Sequence, residues 1–132
     1  MQTPIAHHSA TTRAPLGTSA LTPGERALVG AFVNGVRAIL NPESLARIVV
    51  FGSRARGSGH GDSDLDIAVF AKGPLAPDLH HRLAEIAEEA QTDREDLPHL
   101  RPILITPDQR LNPLLLAAID TDGIAVWPIP TT

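Results

Sequence analysis

The sequence predicts an α+β fold, in which helices pack on a small mixed sheet to form an α/β sandwich. Segments with apolar residues at helical spacing are mixed along the chain with short β-branched runs, in the order α-β-β-α-β-α-β. The 132 residues suit one domain. The composition, 42% hydrophobic and 20% charged, is typical of a folded globular chain and too apolar for disorder throughout.

The first ordered element is predicted to be a helix that begins after Thr22. Thr22 and Glu25 have the spacing of a capping box, and Pro23 stands at the first helical position. An apolar stripe at helical spacing follows, and an Asn-Pro pair ends it: Leu28, Phe32, Val36 and Ile39, then Asn41-Pro42. The preceding residues 1–21 show neither helical nor strand periodicity, which predicts a flexible tail before a domain of residues 22–132.

The strands are predicted as short apolar runs bounded by turn residues. The first covers 47–51 and ends at Gly52, and a glycine-rich loop then extends to Ser63. The second covers 65–70 and ends before Lys72-Gly73-Pro74. The third and fourth strands are predicted at 103–106, after a proline, and at 124–127.

Two further helices are predicted between these strands. Leu79, Leu83, Ile86 and Ala90 recur at helical spacing with charged residues on the opposite side, which is typical of an amphipathic surface helix. The segment 91–99 is acidic and turn-like. A short helix is predicted over 114–119, and Gly123 ends it.

The composition excludes several classes of protein. A formal net charge of −4 and a single lysine argue against a strong nucleic-acid footprint, since no long basic stripe exists. The lack of cysteine excludes disulfides, thiolate zinc sites and cysteine nucleophiles. No apolar run approaches the ~20 residues that span a bilayer, so we expect no membrane association. No signal-peptide pattern opens the chain, so a cytoplasmic location is expected.

The glycine-rich loop carries the first part of a candidate site. Gly52 and Ser53 follow a buried strand, where glycine lets backbone amides approach a phosphate closely. Arg54 and Arg56 add positive charge to the loop. Either arginine could contact a phosphate or simply be solvated, and the residues alone leave both readings open.

Two aspartates after the loop form the second part. Asp64 and Asp66 are two residues apart on a predicted strand, so both carboxylates lie on one face while Leu65 and Ile67 point to the core. Neighbouring carboxylates repel each other unless a cation lies between them. Oxygen ligands suit Mg²⁺, which commonly binds one or two carboxylates together with substrate phosphates. These parts match phosphoryl or nucleotidyl transfer from a nucleoside triphosphate.

Other known motifs fit the glycine-rich loop and its aspartates less well. An EF-hand loop starting at Asp62 would have Ile67 where glycine is required and Gly73 where glutamate is required. A Walker loop needs a lysine that is absent here, and a Rossmann fingerprint needs a third glycine before a helix. A polar hairpin loop with solvated aspartates remains an alternative.

The spacing identifies a family resemblance. Gly52-Ser53, ten intervening residues and Asp64-x-Asp66 closely resemble the signature of the polymerase-β-like nucleotidyltransferase superfamily. Within it, the run GSRARGSGHGDSDLDIAVF resembles the minimal nucleotidyltransferases (MNT) of HEPN/MNT toxin–antitoxin pairs. The resemblance covers roughly residues 22–130, from the first helix to the last strand.

The resemblance implies a polymerase-β-like fold and Mg²⁺-dependent transfer of a nucleoside monophosphate, as AMP from ATP, to a hydroxyl. Gly52 and Ser53 would contact the triphosphate, and Asp64 and Asp66 would be the catalytic metal ligands. The acceptor would lie on a HEPN-type partner protein that this chain modifies as an antitoxin. Since the chain is too short for an appended acceptor domain, a partner or a homo-oligomer would complete the site.

One departure from the family pattern concerns a third carboxylate. Members of the superfamily usually carry it on a later strand, but residues 100–106 contain no acid, and Arg101 or Pro102 stands at about that place. Because this acid commonly helps activate the attacking hydroxyl, its loss puts turnover in question. An alternative function is therefore a weakened nucleotidyltransferase fold that binds and occludes its partner without turnover.

Overall fold

The computed structural model describes residues 20–57, 63–73 and 75–128, apart from the side chain of Arg56. Nearly all of the predicted tail lies outside the described residues. In chain order the elements are α1 (Pro23–Ile39), β1 (Leu45–Phe51), α2 (Ser53–Arg56), β2 (Leu65–Ala71), α3 (Leu79–Gln91), β3 (Leu100–Ile105), α4 (Pro113–Asp122) and β4 (Ile124–Trp127). None of the helices in these ranges is long and apolar enough to cross a bilayer.

The four strands form one mixed sheet in the order β3-β2-β1-β4. The strand β1 is antiparallel to both β2 and β4, whereas β2 and β3 are parallel. Parallel neighbours need a long connection, which α3 provides. The register places Phe51 of β1, Asp66 of β2 and Arg101 of β3 side by side in one row across the sheet.

Helices cover both faces of the sheet, which confirms the predicted α+β sandwich. The helices α1 and α3 pack on one face over a core that includes Phe32, Ile48, Leu65, Ile67 and Leu83, all nearly inaccessible to solvent. A smaller cluster on the other face lies against α4 and contains Val49, Phe51, Ala68, Ile105 and Ile119. Asp66 alternates with the buried Leu65 and Ile67, so it belongs to this second face, at the end of the sheet.

The start of α1 forms as its sequence predicts. The hydroxyl of Thr22 accepts a hydrogen bond from the Glu25 backbone N–H at 3.1 Å, and Glu25 Oε1 accepts one from the Thr22 N–H at 2.9 Å. This reciprocal capping box satisfies two backbone donors that a helix start would leave unpaired. Leu21, which the sequence placed in the tail, is buried in the core, so packing begins one residue earlier than predicted.

Several elements differ from their sequence-based predictions. The strand β1 begins two residues earlier than predicted. The four-residue helix α2 occupies part of the predicted glycine-rich loop. The strand β3 starts at Leu100 rather than Ile103 and runs through Pro102, because an edge strand tolerates a missing N–H on its unpaired side. The last helix extends from Pro113 to Asp122, beyond the predicted 114–119, before Gly123 ends it.

Candidate active site

Four of the predicted site residues, Gly52, Ser53, Asp64 and Asp66, lie at the end of the sheet where β1 stops and β2 starts. The strand β1 ends at Phe51 just where the antiparallel β2 begins, and Phe51 pairs with Asp66. Gly52 and Ser53 continue from the end of β1, while Asp64 immediately precedes β2. The fold therefore brings together two groups of residues that the sequence separates by a loop.

Gly52 lies against the carboxylate of Asp66. Its backbone angles, φ of +86° and ψ of −164°, form a conformation that residues other than glycine rarely adopt. A Cβ at this position would also lie 3.0 Å from Asp66 Oδ2, closer than ordinary van der Waals contact. The backbone angle therefore favours glycine where β1 leaves the sheet, and any side chain there would also force the Asp66 carboxylate to shift.

The Asp66 carboxylate is in an electrostatically unfavourable environment. Its side chain is 19% exposed. Burial raises the pKa of Asp66 above its ordinary value and the neighbouring Asp64 raises it further, while the charge and the hydrogen bond of Arg101 lower it in part. Because burial and repulsion outweigh the effect of Arg101, the ionised carboxylate would gain from a further cation.

Arg101 stands directly beside Asp66 on the neighbouring strand. The parallel register of β2 and β3 pairs the two residues, and Arg101 Nε donates to Asp66 Oδ1 at 2.9 Å. The sequence left open whether Arg101 or Pro102 stands where the family's third carboxylate would be. The structure places Arg101 there, facing Asp66. Over residues 20–57, 63–73 and 75–128, no cluster of three or more acidic or histidine side chains could hold a metal.

Arg54 ties the loop to the first helix. Its Nη1 lies 3.3 Å from Glu25 Oε2, and its Nε donates to the Ser63 carbonyl at 3.3 Å. The guanidinium thus connects α2, the N-terminus of α1 and the residue before Asp64. This geometry assigns Arg54 a positioning role, and its predicted contact with phosphate stays a prediction.

One predicted site residue lies partly outside the described residues. The backbone of Arg56 ends α2, but its side chain is outside the described part. Glu25 was predicted only as a capping residue, but it also contacts Arg54 and so helps to position the site. Its second role depends on a contact with Arg54 across 29 residues, which no local pattern reveals.

Replacing Glu25 tests how strongly this support stabilises the fold. We expect Glu25→Ala to lower the free energy of unfolding by about 2–3 kcal/mol, because it leaves the Thr22 N–H without its side-chain acceptor and the mostly buried Arg54 without this carboxylate. Glu25→Gln keeps the capping group and loses only the charge, so we expect a smaller loss. Denaturant unfolding of both variants measures the two contributions, and equal stability of Glu25→Ala and the wild type would contradict the assignment.

The raised pKa of Asp66 predicts a pH-dependent stability. The stability that this carboxyl contributes is fully present below the ordinary aspartate pKa and is lost as the pH rises through the raised folded value. Asp66→Asn removes this dependence, so the stability of the variant relative to the wild type should increase over the range from about pH 4, the ordinary aspartate pKa, upward. Denaturant unfolding across this range measures the difference, with the exposed Asp93→Asn as control. A difference that does not change with pH would contradict the prediction.

Comparisons with known proteins identify a family for this arrangement. The family model described as a nucleotidyltransferase domain matches residues 33–118, more than half of the chain and all six predicted site residues. A provisionally assigned nucleotidyltransferase from Sulfolobus solfataricus has a solved structure with 21% sequence identity and a TM-score of 0.48, and the match covers 76% of this chain and 77% of that one. No curated protein matches the chain.

Proposed function

Because the chain belongs to the nucleotidyltransferase domain family, we propose that it transfers a nucleoside monophosphate, AMP from ATP, to a hydroxyl on a partner protein. The observation that supports this most directly is the contact between Gly52 and Asp66 at the sheet edge where Ser53 and Asp64 also lie. A close backbone approach beside two carboxylates is the combination that a metal-bound triphosphate requires.

The two carboxylates fit Mg²⁺. Asp64 and Asp66 are oxygen ligands, and the raised pKa of Asp66 indicates that ionisation here is unfavourable without further positive charge. Two protein ligands are few, but Mg²⁺ commonly completes its shell with phosphate oxygens and water. Mg²⁺ bound there would offset the negative charge that develops on the phosphates during transfer.

The remaining site residues bind and position the substrate. Gly52 leaves the space beside Asp66 that any side chain would fill, and with Ser53 it would contact the triphosphate. Arg54 holds α2 and Ser63 in place, which fixes both ends of the loop. Arg56, at the end of α2, is the second cation proposed for the phosphates.

Activation of the acceptor hydroxyl requires a group beyond these two carboxylates. The strand β3 presents Arg101, which cannot accept a proton, at the position facing Asp66. We therefore place the missing base on the acceptor side, on a HEPN-type partner or on a second copy of this chain. The resemblance to the MNT proteins implies a tyrosine hydroxyl as the acceptor. This chain contains no tyrosine, so an antitoxin role of that kind requires a partner.

A second candidate function is binding without turnover. The observation that favours it is the ion pair between Arg101 and Asp66, which provides one catalytic carboxylate with a resident cation. In this case the chain would neutralise a partner by occupying its surface, and nucleotide would be at most a structural ligand.

The α-phosphate of the substrate distinguishes these functions. We would incubate the purified chain with Mg²⁺, each α-labelled nucleoside triphosphate in turn, and host lysate, then follow the label into protein, RNA and small molecules. Label in one protein band supports the proposed transfer and identifies its target. Label in RNA or a small molecule would support nucleotidyl transfer but would show that the acceptor is not a protein. If a folded sample transfers no label to any fraction, the result favours the binding function.

A further inference from the structure

The pairing of Arg101 with Asp66 affects both oxygens of that carboxylate. Oδ1 accepts from Arg101 Nε at 2.9 Å, and Oδ2 faces Gly52 closely enough that a Cβ there would lie at 3.0 Å. One oxygen thus lies next to a positive charge and the other next to the end of β1. A cation that approaches Asp66 must therefore come close to the guanidinium.

The sheet determines where the backbone of Arg101 lies, but the side chain is largely exposed to solvent. Six consecutive parallel pairs, from Leu65 with Leu100 to Phe70 with Ile105, hold the Arg101 backbone beside Asp66. The Arg101 side chain is nevertheless 57% exposed, so water is available to the guanidinium when it leaves the carboxylate. Hydration of the exposed guanidinium weakens its attraction to the carboxylate, so the two groups can separate.

We propose that Arg101 is a displaceable counter-cation, which pairs with Asp66 in the nucleotide-free protein and weakens the binding of a free divalent cation. A positive charge beside the carboxylate both occupies a ligand oxygen and repels an approaching dication. The phosphates of a bound nucleoside triphosphate add negative charge. This charge favours binding of a divalent cation beside Asp66 even though Arg101 is close. The chain would thus take up its metal together with the triphosphate. This inference rests on the proposed function for the identity of the incoming ligand.

Manganese binding to the nucleotide-free protein tests the inference without any transfer reaction. The electron paramagnetic resonance signal of free Mn²⁺ gives its affinity for the wild type, Arg101→Gln and Arg82→Gln. Arg82 is an exposed residue of α3, which packs on the opposite face of the sheet, so its variant changes the net charge equally at a distance. We expect Arg101→Gln to bind Mn²⁺ about tenfold more tightly, and Arg82→Gln to stay within about twofold of the wild type.

Two further variants locate the effect. Adding Asp66→Asn to Arg101→Gln should remove the gain in affinity, because the freed carboxylate is then absent. Arg101→Lys keeps a positive charge without the Nε donor, and we expect an affinity between those of the wild type and Arg101→Gln.

Several results would overturn the inference. These are unchanged affinity in Arg101→Gln, no Mn²⁺ binding by that variant, or an equal gain in Arg82→Gln. Unchanged Mn²⁺ affinity with weaker ATP binding would instead assign Arg101 to the phosphates. A gain specific to Arg101→Gln in a chain that transfers no label would support the counter-cation and contradict the proposed function, so the two can fail separately.

Discussion

The double variant Asp64→Asn, Asp66→Asn is expected to lose nucleotidyl transfer by about a thousandfold or more while the protein stays folded. Asparagine keeps the size of both side chains but removes the two negative charges that would hold Mg²⁺. Folding should survive, because burial and repulsion already make the ionised Asp66 unfavourable in the native structure. Transfer of label from the α-phosphate, measured beside a circular dichroism spectrum, tests both parts.

The matched control exchanges two exposed aspartates in the turn after α3. Asp93→Asn with Asp96→Asn makes the same change of charge away from the sheet edge, so transfer should remain as in the wild type. Undiminished transfer in the Asp64 and Asp66 double variant would exclude the proposed metal site. A partner complex that persists in an inactive double variant would show that binding does not depend on catalysis, as the second candidate function requires.

Gly52→Ala is expected to reduce both stability and transfer. The φ of +86° and ψ of −164° disfavour alanine by about 1–3 kcal/mol. In addition, the new Cβ would meet Asp66 Oδ2, so the carboxylate or the end of β1 must move. Because catalytic ligands tolerate little displacement, we expect transfer to fall by about a hundredfold. Thermal unfolding and the label assay measure the two losses.

Gly73→Ala separates backbone strain from the contact with Asp66. Gly73 also has a positive φ, of +67°, but a Cβ there would meet no atom of the described residues within 4 Å. We expect this variant to lose about 1 kcal/mol of stability and to keep full transfer. If the two glycine variants lost activity equally, general destabilisation would explain the loss and the contact at Asp66 would not.

Local patterns in the sequence predicted most of the elements and the composition of the site. The capping box at Thr22 and Glu25 formed as predicted, since both partners lie within one helical turn. The strands predicted at 47–51 and 65–70 were confirmed, since β-branched and apolar residues favour a sheet covered on both faces, and the structure pairs them as neighbours. Where local signals conflicted, as at Pro102, the prediction of β3 was too short.

The amino-acid sequence by itself determined the α+β class and the order of the elements apart from the short helix α2, and it predicted a site made of a Gly-Ser loop and two aspartates. These predictions depend on residues close together in the chain. Only the tertiary structure decided which charges face each other. Arg101 reaches Asp66 across 35 residues and Arg54 reaches Glu25 across 29. Both contacts depend on how the elements pack, the first through the parallel register of β2 and β3. Sequence periodicity predicts which face a side chain occupies, but strand order and register determine its neighbour on that face.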